Sequence, residues 1–102
     1  MAQFLVMAYD GTDAEAVARR KAARPLHFAA LGPMVERGEI VIGGAILDDN
    51  GTMIGSTVIA EFPSRAELDA WLAREPYVTQ GVWRKIEIKP MRIAVREGKV
   101  TP

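Results

Sequence analysis

The segment from Gly55 to Pro90 constrains this chain more than any other. Gly55-Ser56-Thr57-Val58-Ile59-Ala60-Glu61-Phe62 is β-branched and apolar, as a strand requires. Pro63 stops that ladder, and Ser64-Arg65-Ala66-Glu67 has the spacing of a capping box. In such a box the hydroxyl and the carboxylate each satisfy one free backbone N–H at a helix start. Leu68, Trp71 and Leu72 follow at helical spacing as an apolar stripe. Glu75-Pro76 ends the helix, because the residue before a proline is pushed out of the α region. Trp83–Lys89 then alternates apolar and charged residues, the pattern of a strand with one wet face. Strand, helix and strand make a β-α-β crossover, and the rest of the chain has to fit around it.

Gln3–Tyr9 reads as the first strand, apolar on both faces. Asp10-Gly11 is a turn, and Thr12-Asp13-Ala14-Glu15 repeats the capping-box spacing, so helix is expected from near Asp13. Pro25 interrupts it. The expected arrangement is a short helix over Asp13–Ala23 and a main helix opening at Pro25, with one kinked helix as the alternative. The main helix runs to about Arg37, with Gly38 as its stop and Ala30, Leu31, Met34 and Val35 as its apolar stripe. Glu39–Leu47 is a second strand with no side chain at Gly43-Gly44. The Asp48-Asp49-Asn50-Gly51 turn returns the chain antiparallel. Pro90 is expected to break the last ladder, leaving residues 91–102 as a short fifth strand and a loose tail of one single domain, 1–102.

The order β-α-β-β-α-β defines an α+β, ferredoxin-like fold with both helices on one face of a four-stranded antiparallel sheet. The first two strands do not alternate as one-sided strands should, so the helix-free face is apolar as well. Nothing left in the chain looks long enough to cover it. A second copy packed sheet to sheet, a homodimeric α+β barrel, is the simplest solution.

With 13 basic and 13 acidic residues the chain has no net charge, which argues against a nucleic-acid partner. The strands offer aliphatic residues where an RNA-binding sheet would carry aromatics. Arg19, Arg20, Lys21 and Arg24 read as a solvated helix face. The absence of cysteine excludes disulfides and thiolate chemistry and fits a cytoplasmic setting. The apolar run Phe4–Tyr9 is too short to span a membrane. One histidine, no cysteine and no carboxylates at ligand spacing argue against a metal, and no glycine pattern indicates a nucleotide cofactor.

Two residues stand out chemically. His27 falls within the apolar stripe of its helix, and an imidazole serves as acid or base near neutrality. Were Pro25 the first helical residue, His27 would sit in the first turn, where the helix dipole favours the neutral ring. A core histidine bonded to a backbone carbonyl is the competing reading. Glu75 lies four residues after Trp71 and seven after Leu68, in phase with the apolar stripe. The residues alone nevertheless favour a turn at Pro76 with Glu75 in solvent. Ser56 lacks the surroundings of a nucleophile. Trp71, Tyr77 and Trp83 read first as core or interface aromatics, and Asp10 and Asp13 as turn and cap residues.

Arg24-Pro25-Leu26-His27, Gly43-Gly44, the strand Gly55–Phe62, Glu75-Pro76-Tyr77, Gly81-Val82 and Ile88-Lys89-Pro90 together resemble the YCII-related (YciI-like) family, from Gln3 to Pro90. The resemblance implies a dimeric α+β barrel with a pocket between sheet and helices. It also implies a histidine–carboxylate pair, here His27 and Glu75, with glutamate where the family usually has aspartate. Arg24, Ser56 and Tyr77 would contact the ligand. The implied activity is cofactor-free acid–base chemistry, an elimination such as dehydrochlorination or an isomerisation, on a small cyclic or aromatic metabolite. The alternative is a non-catalytic ligand-binding or dimerisation module.

Overall fold

The computed structural model describes residues 1–102. Its elements are β1 (Ala2–Asp10), α1 (Ala16–Glu36), β2 (Ile40–Leu47), β3 (Met53–Phe62), α2 (Arg65–Arg74), α3 (Pro76–Thr79), β4 (Trp83–Met91), β5 (Val95–Arg96) and β6 (Lys99–Val100). The first four long strands form a sheet of order β2-β3-β1-β4, each neighbour antiparallel. This is the ferredoxin-like α+β fold expected from the sequence.

The helix side of the sheet carries Phe4, Val6 and Ala8 of β1, paired in register with Ala60, Val58 and Ser56 of β3. Against them pack Ala23 and Met34 of α1, Leu68, Trp71 and Leu72 of α2, and Tyr77 of α3, all buried. Burying an aromatic as large as Trp71 contributes several kcal/mol, so truncating it to alanine should cost about 3–5 kcal/mol. Ser64 caps α2 as its spacing predicts, its hydroxyl accepting from the Glu67 N–H at 3.4 Å. Gly55 is required by packing: a Cβ there would collide with the carbonyl oxygen of Ala8 on the neighbouring strand.

Three expectations are corrected. First, α1 is one helix from Ala16 with both Pro25 and Pro33 inside it, and Thr12–Glu15 does not cap it. Both prolines lie on the exposed face, so the carbonyls they leave unpaired stay hydrated. Because Pro25 is mid-helix, the dipole argument for His27 no longer applies. The buried stripe also differs: it is Ala16, Arg20, Ala23, His27 and Met34, with Ala30 and Val35 exposed. Second, β4 runs through Pro90, which sits opposite Phe4. An edge strand tolerates a residue without an N–H.

Third, the tail is not loose. Residues 95–100 form a hairpin, β5–β6, beside the Glu61 end of the helix-free face. Arg96 pairs with Glu61 at 2.9 Å, and the Ile93 N–H donates to Gln3 Oε1. No other element covers the rest of that face, where Leu5, Met7 and Tyr9 of β1 and Thr57 and Ile59 of β3 are half-buried and Ile42 of β2 is exposed, with Lys85, Glu87 and Lys89 along β4.

Candidate active site

Glu75 sits where α2 ends and α3 begins, with an extended backbone that breaks the helix before Pro76. That break turns its side chain inward, and it is 1% exposed. Glu75 is therefore not in solvent, as the residues alone favoured. The reason is the second helix: its carboxylate caps α3, accepting from the Tyr77 N–H at 3.2 Å. It also accepts from the Trp71 indole N–H at 3.2 Å and from Nδ1 of His27.

His27 reaches this carboxylate from the buried face of α1. A carboxylate only accepts, so the shared proton belongs on Nδ1, which leaves Nε2 as the ring nitrogen turned away from Glu75. Nε2 has no protein partner and is not sealed in packing. The ring is stacked on Tyr77, with centroids 3.9 Å apart and planes 12° from parallel, while Trp83 stands edge-on at 6.0 Å. The imidazole is held in plane and in tautomer.

Beside it lies a cavity of about 460 Å³ between α1 and β2–β3, large enough for a small ring compound. Arg24, His27, Ser56 and Tyr77 all line it, and Val58 with the bare backbone of Gly43-Gly44 closes the sheet side. The four sequence-derived cavity residues are thus brought together, with Glu75 behind His27. Arg24 makes no hydrogen bond or ion pair; its guanidinium lies 5.1 Å from the Phe28 ring centre. Burial pushes the Tyr77 phenol above its ordinary value, against the pull of Arg20 and Arg24, so it stays protonated through the neutral range.

Sequence reasoning missed Arg20, which is buried and not part of a solvated basic face. It grips both carboxylate oxygens of Asp10, at 3.0 and 3.1 Å, and donates to Ser56 Oγ at 2.8 Å. Trp83 donates to the same Oγ at 3.2 Å. Burial raises the Asp10 carboxyl above its ordinary value, and Arg20 offsets only part of this. The signal was there in phase: Arg20 precedes His27 by seven residues, two helical turns, and Asp10 follows Phe4, Val6 and Ala8 on the inward face.

A comparison with protein families matches the YCII-related domain over residues 2–92. The chain belongs to the YCII-related family. Protein YciI of Escherichia coli O6:H1 is 33% identical to this YCII-related chain over 94 residues, covering 86% of it and 96% of the relative. An uncharacterized protein of Haemophilus influenzae is 34% identical over 80 residues, covering 72% and 82%. Among solved structures, 5-chloro-2-hydroxyhydroquinone dehydrochlorinase (TftG) of Burkholderia phenoliruptrix, in complex with 2,5-dihydroxybenzoquinone, superposes with a TM-score of 0.77. It is 23% identical, with 88% of this chain and 93% of that one covered. A dimeric ferredoxin-like protein of unknown function from Jannaschia sp. gives a TM-score of 0.53 at 14% identity, over 91% and 100% of the two chains. These likenesses establish the same fold in this YCII-related protein.

Proposed function

We propose that the chain is a small cofactor-free acid–base enzyme, active on a small cyclic or aromatic metabolite. The observation that carries this reading is the buried His27–Glu75 pair, whose free Nε2 opens onto a cavity. Nε2 takes a proton from a carbon or oxygen of the ligand, and Glu75 stabilises the imidazolium that results. The electron pair left behind expels a leaving group such as chloride in an elimination. In an isomerisation it takes the proton back at another atom. Arg24, the free cation at the cavity, attracts an anionic or hydroxylated ligand, and the Tyr77 phenol donates a hydrogen bond. The likeness to a dehydrochlorinase holding a dihydroxybenzoquinone supports this substrate class.

The same reading includes a homodimer. The uncovered face around Leu5, Met7 and Ile59 is apolar, and the same face of a second copy would bury it. The deciding experiment is turnover of chlorinated hydroquinones, hydroxyquinones and lactones by wild type and His27→Gln. Glutamine still hydrogen-bonds Glu75 but takes no proton, so the rate should fall by about 10²–10⁴-fold with the fold intact. Full activity in that variant would end the proposal. Saturable ligand binding with no turnover of any substrate would favour a binding module.

A further inference from the structure

A serine hydroxyl has one hydrogen to donate and two lone pairs with which to accept. In Ser56 both lone pairs are taken by groups that can only donate: a guanidinium N–H of Arg20 at 2.8 Å and the indole N–H of Trp83 at 3.2 Å. Neither partner can accept a proton in return. The hydroxyl hydrogen must therefore point elsewhere, and no protein group lies in place to receive it. Arg20 is itself locked by its two bonds to buried Asp10, so the arrangement cannot reverse. Ser56 faces the cavity that holds Nε2 of His27.

We infer that Ser56 is a fixed hydrogen-bond donor to the cavity's ligand, so that the ligand sets an accepting oxygen against it, best of all a carbonyl oxygen or oxyanion. This rests on the reading of His27 as the base and deepens it. Two donors pulling on Oγ make its O–H a stronger donor, suited to an oxygen on which charge gathers. The cavity then has a direction. A proton leaves the ligand toward Nε2 of His27, and the electron pair of the broken bond moves onto the oxygen held by Ser56. Arg20 is a positioning residue in this scheme, holding Ser56 in its orientation.

The test uses 4-nitrophenol, whose anion and neutral form absorb differently, titrated into wild type, Ser56→Ala, Ser56→Cys, Ser56→Thr and His27→Gln. Bound to wild type, the phenol should ionise about tenfold more readily than when bound to Ser56→Ala. Threonine, which keeps the hydroxyl, should restore the effect. Cysteine, a weak donor of similar size, should not, and it serves if the alanine variant fails to fold. A Ser56 that merely ties Arg20 to Trp83 would lower the melting temperature of the alanine variant and leave the bound ionisation unchanged, which would overturn the inference alone. His27→Gln should keep the enhanced ionisation while losing turnover. If 4-nitrophenol fails to perturb the His27 ring resonances of wild type at saturation, the inference and the base reading beneath it both fall.

Discussion

Glu75 accepts three hydrogen bonds, although a histidine needs only one to be oriented. Removing the carboxylate leaves an indole N–H, an imidazole N–H and a helix terminus unpaired in the interior. Glu75→Ala should therefore cost about 3–5 kcal/mol, read as a lowered denaturant midpoint. Glu75→Asp, which keeps the acid and shortens its reach, is more informative. One methylene shorter, it cannot hold the indole of Trp71 and the ring of His27 from the same backbone. Its expected cost is about 1 kcal/mol, with His27 still paired. An unchanged Trp71 indole resonance in that variant would show that the longer side chain is not what reaches it. Here the pairing came from the family resemblance, while the residues alone favoured Glu75 in solvent. Nothing local says whether a residue before proline turns in or out; the short helix after it decides.

At the level of elements, the one side-chain ion pair that ties the C-terminal hairpin to the sheet is made to a carboxylate of β3. Glu61 accepts from Gln3 at 2.9 Å and pairs with Arg96, and these contacts hold its pKa below the ordinary value, the Gln3 hydrogen bond being the larger cause. A depressed carboxyl contributes stability above its unfolded value and loses it as pH falls through the folded one. Acidification through and below the ordinary value of 4.5 should therefore release β5–β6 before the sheet melts, seen as faster amide exchange at residues 95–100. Glu61→Gln should loosen the hairpin already at neutral pH. Equal protection at both pH values would refute this attachment. The hairpin escaped sequence reading because two-residue strands carry no periodicity, and its anchors lie 35 and 90 residues away in the chain. By contrast α2, with a capping residue and a stripe, was legible throughout. In α1 Pro25 misled, favouring two helices over the single one kept as the alternative, because a proline on an exposed face is tolerated within a helix whose other face is well packed.

Across the whole molecule, four long strands and two main helices bury one side of the sheet and leave the other greasy. The fold order and this imbalance were both readable from alternation patterns, since a one-sided strand would have shown polar residues at Leu5 and Met7. If a second copy covers the face, Met7→Glu should shift sedimentation from dimer to monomer, because two buried acids would oppose each other across the interface. Wild type sedimenting as a monomer at micromolar concentration would refute the assembly while leaving the cavity untouched.

The double duty of Glu75, ending one helix and capping the next, has a consequence for how such a protein can diverge. Most enzymes can tune a catalytic acid while the scaffold stays indifferent. Here the carboxylate that pairs with His27 also caps α3 and holds the Trp71 indole, so altering the reaction and keeping the fold are a single selective problem. Innovation in this lineage is therefore easier on the cavity's opposite wall, where Gly43 and Gly44 contribute only backbone, than at the acid itself.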